Sequence, residues 1–410
     1  MADDRRLGIG FIGAGFVTQF HAQSLVGVRD ANVAAVMSPT LAHAESVAAQ
    51  ARELGVGEPA VYSDIAAMVA DPNVEAVWIC APNHVRIEVM EAIVAAVKGG
   101  ARLLGIACEK PLARNVSEAR RMLELVEQAG IPHGYLENQV FAPSLTRGKE
   151  IIWRRGVPSA GRPFLARASE EHAGPHMPWF WSGEKQGGGV LNDMLCHSFE
   201  AARFLLTAPD EPRSAVRVEE VDARIASLKW SRDEYARKLK DSSGIDYTKT
   251  PSEDFARATV TLSAGGRPAI IEATTSWNFV GAGLRLRMEL LGPEYSMQVD
   301  TLNSDLSVFF SRRISGSAGE DLVEKQNAEQ GLMPVISDEP AAYGYTAENR
   351  HMTRAFLDST SPDETWADGV AVTEVLMACY KSAETGRVVE FPDKSLADFI
   401  PAVAQGLWKP

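Results

Sequence analysis

The chain is poor in cysteine, has no long apolar run and carries no excess of basic residues. No apolar run approaches the roughly 20 residues that span a bilayer, so no membrane partner is expected. The net charge of −13 over 410 residues argues against nucleic acid and anionic membranes as partners. The cysteines lack the close spacing of a metal site, and reduced thiols in a cytoplasmic protein explain them most simply; they are Cys80, Cys108, Cys196 and Cys379.

What is present is a change of pattern near residue 137. Before it, apolar strand-like runs alternate with helical ones, beginning with Leu7–Ile12 and ending with His133–Leu136. Such alternation is typical of a parallel sheet with right-handed crossovers. It predicts an α/β domain with a Rossmann-type, doubly wound parallel sheet over residues 1–137.

After residue 137 the pattern predicts a second domain, of the α+β class, over residues 138–410. Strand-like runs between Val216 and Phe310 follow one another with few helices between them. This succession indicates a large, mainly antiparallel open sheet. Residues 313–345 show little periodicity, and a loop of that length is usually functional or disordered.

The segment Leu7–His21, LGIGFIGAGFVTQFH, leads from an apolar strand through a glycine turn into a helix. Such a turn holds a dinucleotide's pyrophosphate, because the backbone comes close to the phosphates and the helix N-terminus offers free N–H groups. With the strand at Leu7–Ile12, the turn uses Gly13 and Gly15, and Thr18 stands in place of a third glycine. The predicted cofactor contacts here are Gly13, Gly15, Phe16 and Val17.

A second register, Gly8, Gly10 and Gly13, matches the glycine spacing letter for letter. It would need a buried strand before Gly8, but that stretch contains the charged residues Asp3–Arg6. A buried parallel strand is apolar, so we interpret Gly8 and Gly10 as strand residues.

The end of the second strand bears on the choice between NAD and NADP. A residue about 20 positions after the glycines usually contacts the adenosine ribose, and it is acidic for NAD or has an arginine nearby for NADP. Here the strand ends in Ser38-Pro39-Thr40, and no Arg or Lys occurs from Val33 to Gln50. Without a cation for a 2′-phosphate we predict NAD, with Ser38 and Thr40 as hydroxyl partners; NADP stays the alternative.

Later strands of the first domain end in segments that can contact the same ligand, which binds beyond the carboxyl ends of the strands. Lys110 follows an apolar strand in the sequence Glu109-Lys110-Pro111. It is either a desolvated donor or base, or a surface lysine at a turn. The further predicted cofactor contacts are Ala81, Pro82, Asn83, His84, Glu109, Lys110 and Asn138.

In the second domain, Asp193 and His197 lie four residues apart in a predicted helix over Val190–Leu206, and so share one face. A carboxylate beside an imidazole fixes its tautomer and suits proton transfer near neutral pH. The spacing equally suits an ion pair or half of a metal site, but no second ligand pair is found, and no metal is predicted. The preceding run Gly187–Gly189 indicates close approach of a substrate or cofactor.

Aromatic and basic side chains near this helix are candidate substrate contacts. Trp179 and Trp181 suit stacking on the apolar face of a sugar, or ordinary packing. Trp277 ends a strand and is predicted to face the same cleft. The basic candidates suit an anionic substituent, or are solvated loop residues; they are His172, His176 and Lys185.

Three motifs together resemble the Gfo/Idh/MocA oxidoreductases, the group of glucose–fructose oxidoreductase and inositol dehydrogenase. They are the glycine turn with His21, Glu109-Lys110-Pro111, and Asp193-x-x-x-His197. The resemblance extends over nearly the whole chain. It implies a Rossmann domain followed by a domain whose large open sheet serves assembly, here as a homodimer or homotetramer, and a Lys–Pro bond that is often cis.

The resemblance also implies roles for Lys110, Asp193 and His197. They would act on a sugar or polyol hydroxyl beside the nicotinamide, with the carbohydrate as substrate. His197, oriented by Asp193, is the implied general base, and Lys110 would stabilise the developing alkoxide.

Three functions remain open. The first is a dehydrogenase that releases the oxidised sugar. The second is a glycosidase, with an anionic glycoside as one candidate substrate, that transiently oxidises C3, eliminates the aglycone, adds water and reduces the carbonyl again, with Tyr135 or His133 serving the elimination. The third is a non-catalytic sugar or nucleotide sensor, against which the presence of Lys110, Asp193 and His197 argues.

Overall fold

The computed structural model describes residues 5–311, 323–326, 328 and 330–410. It divides into two compact units, Met1–Pro143 with Pro340–Thr373, and Ser144–Glu339 with Glu374–Pro410. Much of the predicted loop 313–345, namely residues 313–322, 327 and 329, lies outside the described residues.

The strands are β1 (Leu7–Ile12), β2 (Ala31–Met37), β3 (Ala60–Tyr62), β4 (Ala76–Ile79), β5 (Gly105–Glu109), β6 (His133–Leu136), β7 (Leu165–Glu171), β8 (Val216–Ala226), β9 (Phe255–Ala264), β10 (Arg267–Ser276), β11 (Arg285–Gly292), β12 (Tyr295–Asp300), β13 (Leu306–Phe310), β14 (Gly331–Val335) and β15 (Val389–Glu390).

The α-helices are α1 (Phe16–Ser24), α2 (Leu41–Glu53), α3 (Ile65–Val69), α4 (Arg86–Lys98), α5 (Val116–Ala129), α6 (Pro143–Ile151), α7 (Val157–Ala160), α8 (Gly183–Gln186), α9 (Cys196–Leu206), α10 (Asp233–Ser243), α11 (Glu339–Ala342), α12 (Tyr345–Leu357) and α13 (Trp366–Thr385). Two π-helical turns cover Ile152–Gly156 and Leu191–Leu195. No described helix has both the length and the apolar composition needed to cross a bilayer.

The first unit is built on a six-stranded sheet in the order β3-β2-β1-β4-β5-β6. All of its strand pairs are parallel. β1 and β4 are buried along their whole length, as expected for strands covered on both faces. The strand order reverses between β1 and β4, which is where doubly wound sheets bind dinucleotides. The predicted Rossmann sheet is confirmed.

Residues Pro340–Thr373 belong to the first unit, although the predicted domains are 1–137 and 138–410. The physical reason is the packing of α12 on the parallel sheet. The Trp78 indole of β4 donates a hydrogen bond of 2.8 Å to Asn349, and the Phe356 ring lies 5.7 Å from that of Trp78. A Cβ on Gly105 of β5 would come within 2.3 Å of Phe356. Helix α12 therefore covers the sheet, which chain order alone does not reveal.

The second unit is built on a seven-stranded sheet in the order β12-β11-β7-β10-β9-β8-β15. Strands β7 and β10 are parallel, and the other pairs are antiparallel. Buried and exposed residues alternate along β10, because only one face of an antiparallel sheet needs a cover. The predicted mainly antiparallel sheet is confirmed.

Candidate active site

The glycine turn follows β1 and opens α1. Gly13 has a φ of +103°, and a Cβ there would lie 2.8 Å from the Cys80 carbonyl carbon, so a side chain fits neither the backbone nor the space. Gly15 is the N-cap of α1, and no side chain caps the helix. A Cβ on Gly15 would meet nothing within 4 Å. The turn therefore presents helix N–H groups to open space, as a bound pyrophosphate requires.

Thr18 has a structural task that accounts for the missing third glycine. Its side chain is buried, and its hydroxyl donates a 2.9 Å hydrogen bond to the Gly13 carbonyl. The threonine, a residue of α1, thus stabilises the turn through this hydrogen bond. Gly8 and Gly10 lie within β1, where a Cβ would come within 1.9 Å of the Asn73 carbonyl oxygen and 2.9 Å of Val74, respectively. These two glycines serve packing within the unit.

The end of β2 offers Ser38 and Thr40, the predicted ribose partners. Ser38 is buried, and its hydroxyl oxygen accepts the Thr40 N–H at 3.2 Å. Thr40 is exposed and stands at the N-cap of α2 without capping it through its side chain. No capping hydrogen bond fixes the orientation of the Thr40 hydroxyl.

Beyond β4 lies the segment Ala81–His84, which a buried arginine ties to the end of β5. Arg86 donates to the Ala81 carbonyl at 3.0 Å and to the Glu109 carbonyl at 2.6 Å, and also to the Pro111 carbonyl. Only 3% of Arg86 is exposed. The arginine therefore fixes two predicted cofactor segments to each other.

Sequence reasoning did not single out Arg86, although a signal exists. A cation in the first turn of a helix opposes the helix dipole, so an arginine there indicates a specific partner nearby.

The end of β5 carries Glu109 and Lys110. Glu109 is buried, and its two carboxylate oxygens accept hydrogen bonds from His21 Nε2 at 2.9 Å and from the Lys110 N–H at 3.0 Å. Burial raises the pKa of Glu109, but the His21 hydrogen bond and the charges of Lys110 and Arg86 outweigh it and hold the pKa below its usual value. Lys110 is half-buried, and the Lys110–Pro111 bond is cis, as the resemblance implied.

Asn138 follows β6 and is tied down inside the first unit. Its amide donates a 2.7 Å hydrogen bond to the Tyr343 carbonyl, and 6% of the residue is exposed. The Asn138 NH₂ group, part of a predicted cofactor contact, is therefore already bonded to the segment just before α12.

In the second unit, Asp193 lies in the π-helical turn Leu191–Leu195 and His197 in the first turn of α9. Both side chains are buried. The Trp277 indole donates a 3.2 Å hydrogen bond to an Asp193 carboxylate oxygen. π-Helical turns are rare and occur often at functional sites. A buried carboxylate oriented by an indole, one turn from an imidazole, suits proton transfer.

Trp181 does not offer the stacking surface predicted for it, and Trp277, predicted to face the same cleft, is fully buried. They are 3% and 0% exposed, and their ring centroids lie 5.0 Å apart. Trp230 packs against Trp181 at 4.9 Å. The two predicted residues are thus core aromatics, and Trp277 contributes its N–H to Asp193.

The other predicted substrate residues differ in exposure. His176 and Lys185 are exposed, and Trp179 is half-buried with its ring stacked 3.8 Å from that of Phe180. His172 is buried, and its Nδ1 accepts the Gly174 N–H at 3.0 Å. His172 therefore shapes its own loop, whereas His176, Lys185 and Trp179 can reach a ligand.

Two glycines of the run before Asp193 lie close to buried side chains and backbone of the same unit. A Cβ on Gly188 would come within 1.8 Å of the Tyr380 hydroxyl, and one on Gly189 within 2.4 Å of the Glu253 carbonyl. Glu253 Oε1 accepts the N–H groups of Gly189 at 2.8 Å and Leu191 at 3.1 Å, and the Tyr380 hydroxyl at 2.6 Å. This fully buried carboxyl caps the helical segment that carries Asp193.

Glu253 predicts a pH-dependent stability. Burial raises its pKa to about 7, so between the unfolded value near 4.5 and pH 7 the native state binds more protons than the unfolded state. Stability then falls as pH rises through that window, by about 3 kcal/mol at most. Glu253→Gln keeps the acceptor oxygen without the charge. We expect its urea midpoint to match that of the unsubstituted protein at pH 5 and to exceed it at pH 8; an equal difference at both pH values would contradict this.

Two family models match this chain. Residues 7–133 match the oxidoreductase family with an NAD-binding Rossmann fold, and residues 159–298 match the GFO/IDH/MocA C-terminal domain. Together they match more than half of the chain. The fold and these matches define a member of an oxidoreductase family with an NAD-binding Rossmann domain. The chain belongs to the GFO/IDH/MocA family, and the predicted family and NAD cofactor are confirmed.

Several curated proteins are similar to this chain. A 1,5-anhydro-D-fructose reductase of Ensifer adhaerens is 32% identical over 51% of this chain and 59% of its own length. A levoglucosan dehydrogenase of Pseudarthrobacter phenanthrenivorans is 26% identical over 95% of this chain and 100% of its own. A D-glucoside 3-dehydrogenase of Escherichia coli is 28% identical over 50% and 55% of the two chains. The first and third matches thus span little more than half of those relatives.

Among solved structures, GenD2 from gentamicin A biosynthesis, in complex with NAD, has the same fold. The TM-score is 0.75 at 24% identity, and the match covers 95% of this chain and 97% of GenD2.

Proposed function

We propose that the protein transfers a hydride between NAD and a carbon that bears a hydroxyl group, in a sugar, a sugar derivative or a polyol. The observation that carries the proposal is Lys110, half-buried beyond β5 and fixed through its backbone by the buried Glu109 in an NAD-binding fold. The relatives named above are a reductase and dehydrogenases of sugar derivatives, which supports the substrate class.

The residues of the glycine turn suit a dinucleotide. Gly13 and Gly15 leave the helix N-terminus open, and Phe16 and Val17 begin the helix whose N–H groups would meet the pyrophosphate. Ser38 and Thr40 would contact the ribose. Since no cation stands between Val33 and Gln50, the proposal favours NAD over NADP.

In the proposed mechanism, NAD held at the glycine turn would supply the hydride acceptor, and the residues of this chain handle the proton and the developing charge. His197 accepts the hydroxyl proton, and Asp193, itself held by the Trp277 N–H, orients the imidazole. The Lys110 ammonium stabilises negative charge on the substrate oxygen. In the reverse reaction the same groups act as acids and return the proton to the substrate oxygen. Trp179, His176 and Lys185 are the proposed outer contacts of the sugar.

Gly15→Ala tests the cofactor site without disturbing the fold. A Cβ at this position meets no protein atom within 4 Å, so the urea midpoint is expected to stay unchanged. The methyl group would occupy space that the pyrophosphate needs, and NAD affinity is expected to fall by about tenfold or more, roughly 1.4 kcal/mol. Titration of tryptophan fluorescence with NAD measures it. An unchanged affinity would contradict the proposed place of the pyrophosphate.

One assay set tests the proposed reaction. The protein is incubated with NAD or NADP and with myo-inositol, levoglucosan, D-xylose or 4-nitrophenyl D-glucosides, while reduced nicotinamide and nitrophenol are followed. We expect reduced nicotinamide without aglycone release. Aglycone release that needs catalytic NAD, without net reduction, would instead indicate the glycosidase. Against that reaction stands the burial of its candidate Tyr135, which is 0% exposed. The absence of both signals would favour a sensor.

We also propose a homodimer or homotetramer that forms through the open face of the second sheet. This face carries Arg167, which bonds Glu272 at 2.6 Å and Glu289 at 3.4 Å, beside Ile270, which is 40% exposed. Sedimentation analysis measures the assembly; a monomer at all concentrations would contradict the proposed homodimer or homotetramer.

A cytoplasmic location is proposed as well. All four cysteines are free and buried, which supports it.

A further inference from the structure

Behind Lys110, a chain of hydrogen bonds runs through the first unit from Trp78 to Asn349, His21 and Glu109. All four side chains are buried. Successive polar atoms in this chain lie 2.8 Å, 2.8 Å and 2.9 Å apart, and the last step, from the Lys110 N–H to Glu109, is 3.0 Å. The direction of each bond follows from which groups can only donate or only accept.

The orientation of the Asn349 amide is determined at both of its ends. The Trp78 indole N–H can only donate, so the oxygen of Asn349 must face it, at 2.8 Å. The Tyr345 carbonyl can only accept, so the NH₂ group must face it, at 2.9 Å. The same NH₂ group lies 2.8 Å from His21 Nδ1 and 2.8 Å from the Ser24 hydroxyl.

This orientation determines the tautomer of His21. A proton on Nδ1 would face the Asn349 NH₂ group, and two donors repel each other. Nδ1 therefore faces the amide without a proton, and the ring proton sits on Nε2. From there it is donated to Glu109 Oε1 at 2.9 Å.

Glu109 accepts hydrogen bonds on both sides, from His21 Nε2 at one oxygen and from the Lys110 N–H at the other. Hydrogen bonds to the charged form favour it, in agreement with a Glu109 pKa below its usual value, so Glu109 is the anionic acceptor of the chain. The buried carboxyl of Glu348 lies near enough to Glu109 to interact electrostatically. Burial and the charges of Glu109, Glu137 and Glu364 raise the pKa of Glu348 well above its usual value. Glu348 is therefore more easily protonated than Glu109, whose pKa is lowered.

We propose that Asn349 and His21 are positioning residues, which set the tautomer of the imidazole and thereby hold Glu109 as the anionic acceptor that aims Lys110 at the substrate. The inference rests on the proposed role of Lys110. It assigns a functional task to α12, which the sequence places more than 200 residues away from the glycine turn.

Two nearly isosteric variants separate this task from packing. Asn349→Asp replaces the NH₂ donor that faces Nδ1 by an acceptor, which favours a proton on Nδ1 and leaves Nε2 as an acceptor facing the Glu109 carboxylate. We expect kcat with the best substrate of the assay set to fall roughly 10- to 100-fold, while NAD affinity is retained. This is the range typical of losing a residue that hydrogen-bonds and orients a metal-ligating side chain, which is a comparable positioning task. His21→Gln keeps an acceptor towards Asn349 and a donor towards Glu109, so it is expected to lose less. Ser24→Ala, which removes another partner of the same amide, is the control expected to keep kcat.

The tautomer itself is measured without turnover. In protein labelled with ¹⁵N-histidine, the His21 signals, assigned by their loss in His21→Gln, are expected to show a protonated Nε2 and an unprotonated Nδ1. A proton on Nδ1, an unchanged kcat in Asn349→Asp, or an equal loss in Ser24→Ala would overturn the inference. If no substrate is turned over, the proposed function fails, and the spectra still decide the tautomer.

Discussion

Lys110→Ala is expected to lower kcat by roughly 10²- to 10⁴-fold, the range for a group that stabilises charge or transfers a proton in the transition state. The lysine stands beyond β5, half-buried, with its backbone N–H held by the anionic Glu109. Its ammonium acts on an alkoxide that develops only as the hydride leaves. The loss is therefore expected in kcat, measured as initial rates of NAD reduction, more than in substrate KM.

Two further variants make this test specific. Lys98→Ala removes a lysine that is exposed on α4 of the same unit, and its kcat is expected to stay unchanged. Lys110→Arg keeps the charge but spreads it over a planar group, so it is expected to recover only part of the activity. NAD affinity is expected to survive in all three variants. A Lys110→Ala enzyme with unchanged kcat would remove Lys110 from the mechanism.

Most of the parallel sheet of the first unit follows from its sequence because β1, β2 and β4 are compact apolar runs. β1 begins at Leu7 and ends at Ile12 as the pattern predicts, and these bounds identify Gly13 and Gly15 as the glycines of the turn. Strand β7 is different. Its sequence LARASEE puts charges on the open face, where Arg167 bonds Glu272 and Glu289, so apolar content does not indicate a strand. Those partners lie more than 100 residues away.

The second domain shows that glycine and tryptophan patterns have more than one structural cause. Gly187–Gly189 and Trp277 are typical of a ligand site, and in the structure Gly188 and Gly189 make room for Tyr380 and Glu253, while the indole bonds Asp193. The residues that need this space are distant in the chain: Tyr380 stands 191 residues from Gly189. Local spacing cannot distinguish a ligand from a buried side chain that arrives from so far away.

Large separation in sequence also explains why the residues that hold the catalytic candidates in place could not be predicted. Arg86, Asn349 and Glu253 each bond a segment next to a predicted residue, and none belongs to a motif. Motifs identify groups that would contact ligands, because the chemistry restricts their type. The residues that orient those groups are restricted only by the geometry of this fold.

His197→Gly is expected to lower kcat by roughly 10²- to 10⁴-fold, because it removes the proposed general base. The imidazole is buried at the start of α9, four residues after a carboxylate that the Trp277 N–H holds. Water in its place is a poorer base and is not oriented by Asp193. We expect initial rates to fall while NAD binding, which belongs to the glycine turn, stays unchanged.

Chemical rescue distinguishes proton transfer from packing in this variant. Added imidazole can enter the space left by the side chain and accept the proton, so kcat of His197→Gly is expected to rise with imidazole concentration. His43→Ala, at an exposed position on α2, is the matched control and is expected to show neither loss nor rescue. If the rate of His197→Gly stays low at every imidazole concentration while its urea midpoint falls, His197 supports the fold of α9, and the base must be sought elsewhere.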